Sequence, residues 1–281
     1  MPFTRRQFLG LTTSAVGAAA GFYTWRIEPH LLEFVRRPLP IRGLPRDLTG
    51  LTLAQISDVH VGPRVDDDYV LDAFARVRAL EPDIVAVTGD LVSHHDGMFE
   101  QMERVYAHFP RGRIATVGIL GNHDYGAGWS HPEIAQRVAE VATSHGIKIL
   151  RTEILDVGGL QIVGMDDLWA RRFDPFAAFA RLEPSRAALV LSHNPDTVDL
   201  PGWNRYNGWI LAGHTHGGQC KAPFLPPPLL PVRNRRYTCG EFALDGGRSM
   251  YISRGVGHLI RVRFNVRPEV TLFELTPEAI S

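Results

Sequence analysis

Five short stretches of this chain carry residues that bind cations, always in one order along the sequence. They are Asp58-Val59-His60, Gly89-Asp90, Gly121-Asn122-His123-Asp124, His193 and Gly213-His214-Thr215-His216. Carboxylate, amide and imidazole groups in this mixture offer oxygen and nitrogen donors, which suit Mn, Fe or Zn and, less exclusively, Mg. Asp58, His60, Asp90, Asn122, His123, His193, His214 and His216 are more donors than one tetrahedral ion can take. Two ions bridged by a carboxylate would use them. Each piece alone is weak, since a single Asp-x-His is most often a turn or a surface pair. Gly-His-x-His is better, because residues two apart on an extended segment can reach one point. The five in series are specific.

The segments before these residues explain how they could meet. Runs at 51–57, 84–89, 114–120, 189–192 and 209–212 are short and nearly continuous in apolar residues. That is how strands covered on both faces read. In open α/β sheets, sites form beyond the carboxyl ends of the strands, so five strand ends would deliver the donors to one rim. Gly89, Gly121 and Gly213 each precede a proposed ligand, and a sharp turn there is expected to need a positive φ. Helical patterns occupy 66–80, 98–108 and 132–145, with Asp-rich and Gly-bounded ends as start and stop signals. Residues 153–157 and 160–165 around Gly158-Gly159 read as a hairpin. Residues 223–231 hold five prolines and must be an extended loop, and 249–253 and 270–275 read as late strands.

The whole chain has 281 residues, 44% hydrophobic and 21% charged, with a formal net charge of zero. This is ordinary globular composition, with no sign of disorder or of a general polyanion binder. Two cysteines exclude a disulfide-rich scaffold and a four-cysteine zinc site. Without repeats or a separating linker, a single α/β domain is expected over residues 40–276. Residues 1–30 are set apart as an address. Arg5-Arg6 precede nineteen uncharged residues, Gln7 to Trp25. A twin arginine before a weakly apolar run resembles a twin-arginine export signal, with Ala18-Ala19-Ala20 as a cleavage pattern. The run also approaches the roughly 20 residues that span a bilayer, so it could stay as an anchor. Either way the body is expected outside the cytoplasm, in the periplasm or on the outer face of the cytoplasmic membrane, with the twin-arginine machinery as a partner.

The series Asp-x-His, Gly-Asp, Gly-Asn-His-Asp, His, Gly-His-x-His resembles the calcineurin-like metallophosphoesterase superfamily over about residues 50–275. The segments 213–219 and Ser253-Arg254-Gly255-Val256-Gly257 resemble its exported bacterial branch of phosphodiesterases, related to enzymes acting on UDP-diacylglucosamine. The resemblance implies a four-layer αββα sandwich of two facing mixed sheets. It implies one divalent ion on Asp58, His60, Asp90 and His216, a second on Asp90, Asn122, His193 and His214, and Asp90 as the bridge. It also implies His123 as proton donor to the leaving oxygen, with Asp124 orienting or charge-stabilising that imidazole.

The expected activity is hydrolysis of a phosphodiester or pyrophosphate by metal-bound hydroxide, on a phospholipid or nucleotide-lipid. A broad phosphomonoesterase is the enzymatic alternative, and a metal-binding scaffold without chemistry the alternative of another class. Every expected ligand and His123 are present, which argues against the scaffold. No nucleic-acid partner is expected, because no basic and aromatic interleave marks a binding groove. His94 and His95 read as loop residues, and Asp166-Asp167 as a strand-end turn. Whether Cys220 and Cys239 join is left open by their spacing. Eight arginines between 233 and 267 face only Glu241 and Asp245, and Phe224-Leu225 and Leu229-Leu230 lie nearby. These read either as a surface for an anionic substrate, lipid headgroups or a membrane, or as a solvated edge and a packed loop.

Overall fold

The computed structural model describes residues 4–203 and 206–279. In chain order the strands are β1 (Glu33–Ile41), β2 (Thr52–Ile56), β3 (Ile84–Thr88), β4 (Ala115–Ile119), β5 (Lys148–Ile149) and β6 (Glu153–Val157). They continue as β7 (Leu160–Gly164), β8 (Ala188–Leu191), β9 (Trp209–Ala212), β10 (Gly240–Ala243), β11 (Ser249–Ile252) and β12 (Glu269–Pro277). The α-helices are α1 (Arg5–Phe22), α2 (Asp67–Arg78), α3 (Met98–Tyr106), α4 (Pro132–Ser144) and α5 (Pro175–Phe179). Two six-stranded sheets result, ordered β1-β12-β2-β3-β4-β5 and β10-β11-β9-β8-β7-β6. Both are mixed: β2, β3 and β4 are parallel while β12 opposes β2, and β7, β8 and β9 are parallel while β6 opposes β7.

The sheets face each other, and the period-two alternation of each strand decides which core a residue enters. Leu53, Ile84, Ala86, Val117 and Ile119 of the first sheet meet Leu160, Ile162, Leu189, Leu191 and Leu211 of the second. The intervening residues Ala54, Ile56, Val85 and Val87 turn outward onto α2, α3 and α4, where Val70, Phe74, Met102 and Val138 cover them. Val163, Val190, Ile210 and Ile252 turn outward on the other side, against Phe179 of α5 and the loop aromatics Trp203 and Tyr206. Burial on both faces is why the strands read as continuous apolar runs. The four layers are therefore real, and among the described residues the fourth consists of α5, a 3-10 turn at Pro195–Asp199 and loops. Gln55 is a fully buried polar side chain in the central core. Its Nε2 donates to Thr88 Oγ1 at 3.0 Å and across to the Ala212 carbonyl at 2.9 Å, linking the two sheets just behind the strand ends.

Strand β1 was not expected. It holds Pro38 and Pro40, and it lies at the edge of its sheet, where a missing N–H leaves no ladder bond broken. Residues 1–3 of the segment expected to be an address lie outside the described residues. From Leu11 to Phe22, α1 is exposed along its length. Among the described residues no helix is long and apolar enough to cross a membrane. The chain joins the body just after α1: Thr24 accepts the Arg263 N–H at 2.9 Å, and buried Glu28 accepts the Val266 N–H at 2.8 Å.

Candidate metal centre

The carboxyl ends of β2, β3, β8 and β9 and the turn after β4 converge, and the expected donors meet there. Asp58, His60 and His216 form one buried group, and Asp90, His193 and His214 a second. Within the first, His216 Nε2 lies 3.4 Å from Asp58 Oδ1 and 3.0 Å from His60 Nε2. Within the second, His193 Nε2 lies 3.2 Å from Asp90 Oδ2 and 3.2 Å from His214 Nδ1. Asp90 Oδ2 is also 3.5 Å from His60 Nε2, so one carboxylate oxygen reaches both groups.

Asn122 supplies the test of fit. Its side chain is wholly buried, and neither Oδ1 nor Nδ2 has a hydrogen-bond partner among the described residues. A buried amide oxygen left in that state beside Asp90 is what a cation would satisfy. The imidazoles are oriented by their other nitrogens. His193 Nδ1 faces the Thr88 carbonyl at 2.7 Å, His214 Nε2 the Pro231 carbonyl at 2.8 Å, and His60 Nδ1 the Ser93 hydroxyl at 3.2 Å. Each bond points the remaining nitrogen at the site.

Burial holds His60 and His216 neutral, well below the ordinary imidazole value, and pushes His214 down to about 3, helped by the His193 charge. Neutral imidazole keeps the lone pair a cation needs. Burial would lower His193 too, but the Asp90 carboxylate holds it up at about 10. Burial opposes ionisation of Asp90, yet His193 and then His123 keep it well below the carboxylate range. Burial raises Asp58 to about 7.

The backbone here departs from expectation in an informative way. Of the three marked glycines only Gly89 has a positive φ, 93°. Gly121 is extended, with φ −105° and ψ −177°. Gly121 and Gly213 are required instead by space, because a Cβ would collide with Asp90 at the first and with Ser57 and Asp58 at the second. The left-handed conformation is carried by the ligands themselves: Asp58, His60, Asp90, His214 and His216 have φ between 49° and 69°. Non-glycine residues in this region cluster at functional sites.

Asp124 acts on His123 less directly than expected. Its two carboxylate oxygens accept backbone N–H groups, Oδ1 from Val92 at 3.1 Å and Oδ2 from Gly121 at 2.8 Å. It braces the turn rather than touching the His123 ring, and burial pushes its carboxyl well above the ordinary value. His123 is held through its backbone, whose N–H donates to Asp90 Oδ1 at 2.8 Å. Its ring stands edge-on to His60 with centroids 5.1 Å apart.

No sequence signal marked the aromatic wall beyond. Trp129 lies 6.2 Å from the His123 ring and 4.5 Å from Trp169, which stands 4.4 Å from His214. These rings arch over one side of the centre and border a cavity of about 830 Å³, which Arg171, Asp196 and Arg233 also line. Asp166 accepts from the Tyr125 hydroxyl and lies 3.3 Å from Arg151, so the strand-end turn after β7 supports the His123 turn. His94 and His95 are loop residues as expected, and Cys220 and Cys239 are not bonded to each other. The arginine cluster is not one surface. Arg254 and Arg267 pair with Glu33, Arg261 with Asp66, and Arg263 is fully buried, its guanidinium on the Arg254, Gly257 and Val266 carbonyls.

Facing mixed sheets with two adjacent cation groups at their strand ends define a dinuclear metallohydrolase architecture. Residues 51–218 match the calcineurin-like phosphoesterase family. The chain belongs to that family and is a metal-dependent hydrolase. It is 32% identical over 281 residues to the phosphodiesterase YaeI of Escherichia coli, covering 97% of this chain and 99% of that one. It is 28% identical over 326 residues to the UDP-2,3-diacylglucosamine pyrophosphatase LpxG of Chlamydia trachomatis, covering 94% and 97%. Among solved structures, the NAD nucleotidase NadN of Haemophilus influenzae overlays with a TM-score of 0.47 and 16% identity, over 74% of this chain and 45% of that chain.

Proposed function

We propose that this protein hydrolyses a phosphodiester or pyrophosphate bond in a phospholipid or nucleotide-lipid, using two divalent cations. The observation that carries the reading is the position of Asp90 Oδ2 within 3.5 Å of imidazoles from both groups, beside the unpartnered Asn122 amide. Asp58, His60, Asp90 and His216 would hold one cation, and Asp90, Asn122, His193 and His214 the other. When bound, such ions lower the pKa of water and neutralise phosphoryl oxygens.

The chain's own residues do the rest. His123, half-buried at the mouth of the site, protonates the leaving oxygen. Asp124 is a positioning residue, holding the turn that carries His123. Trp129 and Trp169 shield one side of the site from water. The diester or pyrophosphate preference is supported by the names of the relatives and by a cavity too large for a bare phosphate. Export by the twin-arginine route, to the periplasm or the outer face of the cytoplasmic membrane, is proposed from Arg5-Arg6 and the uncharged run that follows.

The test is turnover of bis(p-nitrophenyl) phosphate by metal-depleted protein with Mn, Fe, Zn or Mg restored, beside p-nitrophenyl phosphate and a His123→Ala variant. Metal-restored diester cleavage is expected, falling roughly 10²–10⁴-fold in the variant. Faster monoester cleavage would favour a phosphomonoesterase, and unchanged activity in the variant would remove His123 from the chemistry.

A further inference from the structure

A second cavity adjoins the metal centre at His216 and shares no lining residue with the tryptophan-walled one, and its chemistry is different. It measures about 560 Å³, and Thr215 and His216 form its inner wall. Leu229, Leu230, Leu259, Ile260 and Val262 supply half of the rest. Among the described residues no acidic one lines it. Leu229 and Ile260 are 68% and 55% exposed, and Phe224 and Leu225 extend the apolar surface outward along the proline-rich loop. An apolar trough that begins at a metal ligand and runs to an apolar rim has little use for a water-soluble phosphoester.

The rim carries positive charge. Lys221 follows Cys220 of the groove wall, and Arg235 rests on the proline loop, donating to the Pro227 carbonyl at 2.8 Å. Apolar walls with cations at the mouth match an amphiphile with an anionic head. The root of α1 lies at the same place, since Thr24 accepts the N–H of Arg263, the residue after Val262.

We propose that this groove is an acyl-chain site: it holds a hydrocarbon chain of the substrate whose phosphoester lies at the two cation groups. The other side of the scissile bond then falls in the tryptophan-walled cavity. This rests on the phosphohydrolase reading above and adds the residues that select the lipid.

The experiment uses p-nitrophenyl alkyl phosphates with chains from ethyl to dodecyl, below their micelle concentrations. Wild-type kcat/KM should rise with chain length by up to about fourfold per methylene, the ratio set by about 0.8 kcal/mol per buried CH₂, until the groove is full. In the Leu229→Ser/Ile260→Ser double variant, both side chains being surface-exposed, the dodecyl ester should lose about tenfold or more while the ethyl ester is unchanged. Calorimetric titration with ethyl- to dodecylphosphonate reads the same dependence without turnover. Chain-dependent binding that the variant loses, in a protein that cleaves no ester, keeps the groove and overturns the hydrolase reading. Ester cleavage with no chain-length dependence overturns the groove and leaves the hydrolase. A variant that keeps the dependence but stops sedimenting with phosphatidylglycerol vesicles places these side chains against a membrane, and also overturns the proposal.

Discussion

The two ends of the first sheet treat buried polar groups in opposite ways. At the amino end, Asp83 precedes β3 and is only 4% exposed. Its Oδ2 accepts the Thr52 N–H at 2.8 Å and the Thr52 hydroxyl at 3.0 Å, and its Oδ1 accepts two Arg113 donors. The protein satisfies this carboxylate completely. At the carboxyl end of the same strands, Asp58 and Asp90 adopt left-handed backbone and Asn122 in the next turn has no hydrogen-bond partner among the described residues. Burial is the same at both ends. Polar satisfaction is not, and an end that the chain leaves incomplete is the end built for a ligand.

That contrast can be broken by substitution. The largest effect is expected at Asp90, which reaches both cation groups. Asp90→Ala should reduce diester turnover by more than about 10³-fold, several kcal/mol of lost charge stabilisation, and lower bound metal by more than one ion per chain in elemental analysis. Retention of two ions would remove its bridging role. Ser93→Ala, which frees His60 Nδ1, should weaken binding of one cation by roughly 10–100-fold and leave the other alone, read by titration of metal-depleted protein. Equal weakening of both would mean that the two groups are not separable.

The amino end should behave inversely. Asp83→Ala is expected to destabilise by about 1–3 kcal/mol in urea denaturation, with turnover unchanged. Burial would raise the Asp83 carboxyl, but its bonds to Thr52 and Arg113 hold it below the ordinary value. A carboxyl lower in the folded than in the unfolded state stabilises above the unfolded value of about 3.9, and that gain fades as pH falls through the folded value. The gap between wild type and variant should therefore be constant from about pH 8 to 5 and shrink towards pH 3. A gap that widened in acid, or a loss of activity at neutral pH, would dissolve the distinction between the two ends.

Much of this was legible in the sequence. Apolar runs ending in cation donors located the strands β2, β3, β4, β8 and β9 and all the residues of both cation groups, because strand burial and ligand chemistry are local properties. The hairpin of β6 and β7 was legible through Gly158-Gly159, which both have positive φ. What escaped depends on distant contacts. Strand β1 was hidden by Pro38 and Pro40, which only an edge position excuses. Gly213 reads as a turn glycine, yet its reason is the nearness of Ser57 and Asp58, more than 150 residues earlier in the chain. Asp124 sits beside His123 in sequence, but backbone donors from two other positions claim it. Trp129 and Trp169 meet only because two loops cross above the site.

The left-handed backbone of five donors in the two cation groups bears on how the centre comes into being. Each such residue is disfavoured by about 1 kcal/mol or more in a free chain, so no isolated ligand loop holds this shape by itself. The shape is imposed by closure of the two sheets, and the donors of either cation group come from both of them. A nascent or unfolded chain therefore holds the donors of each group apart, with no preformed site. The donor geometry is therefore a property of the finished fold, present only once the two sheets have closed.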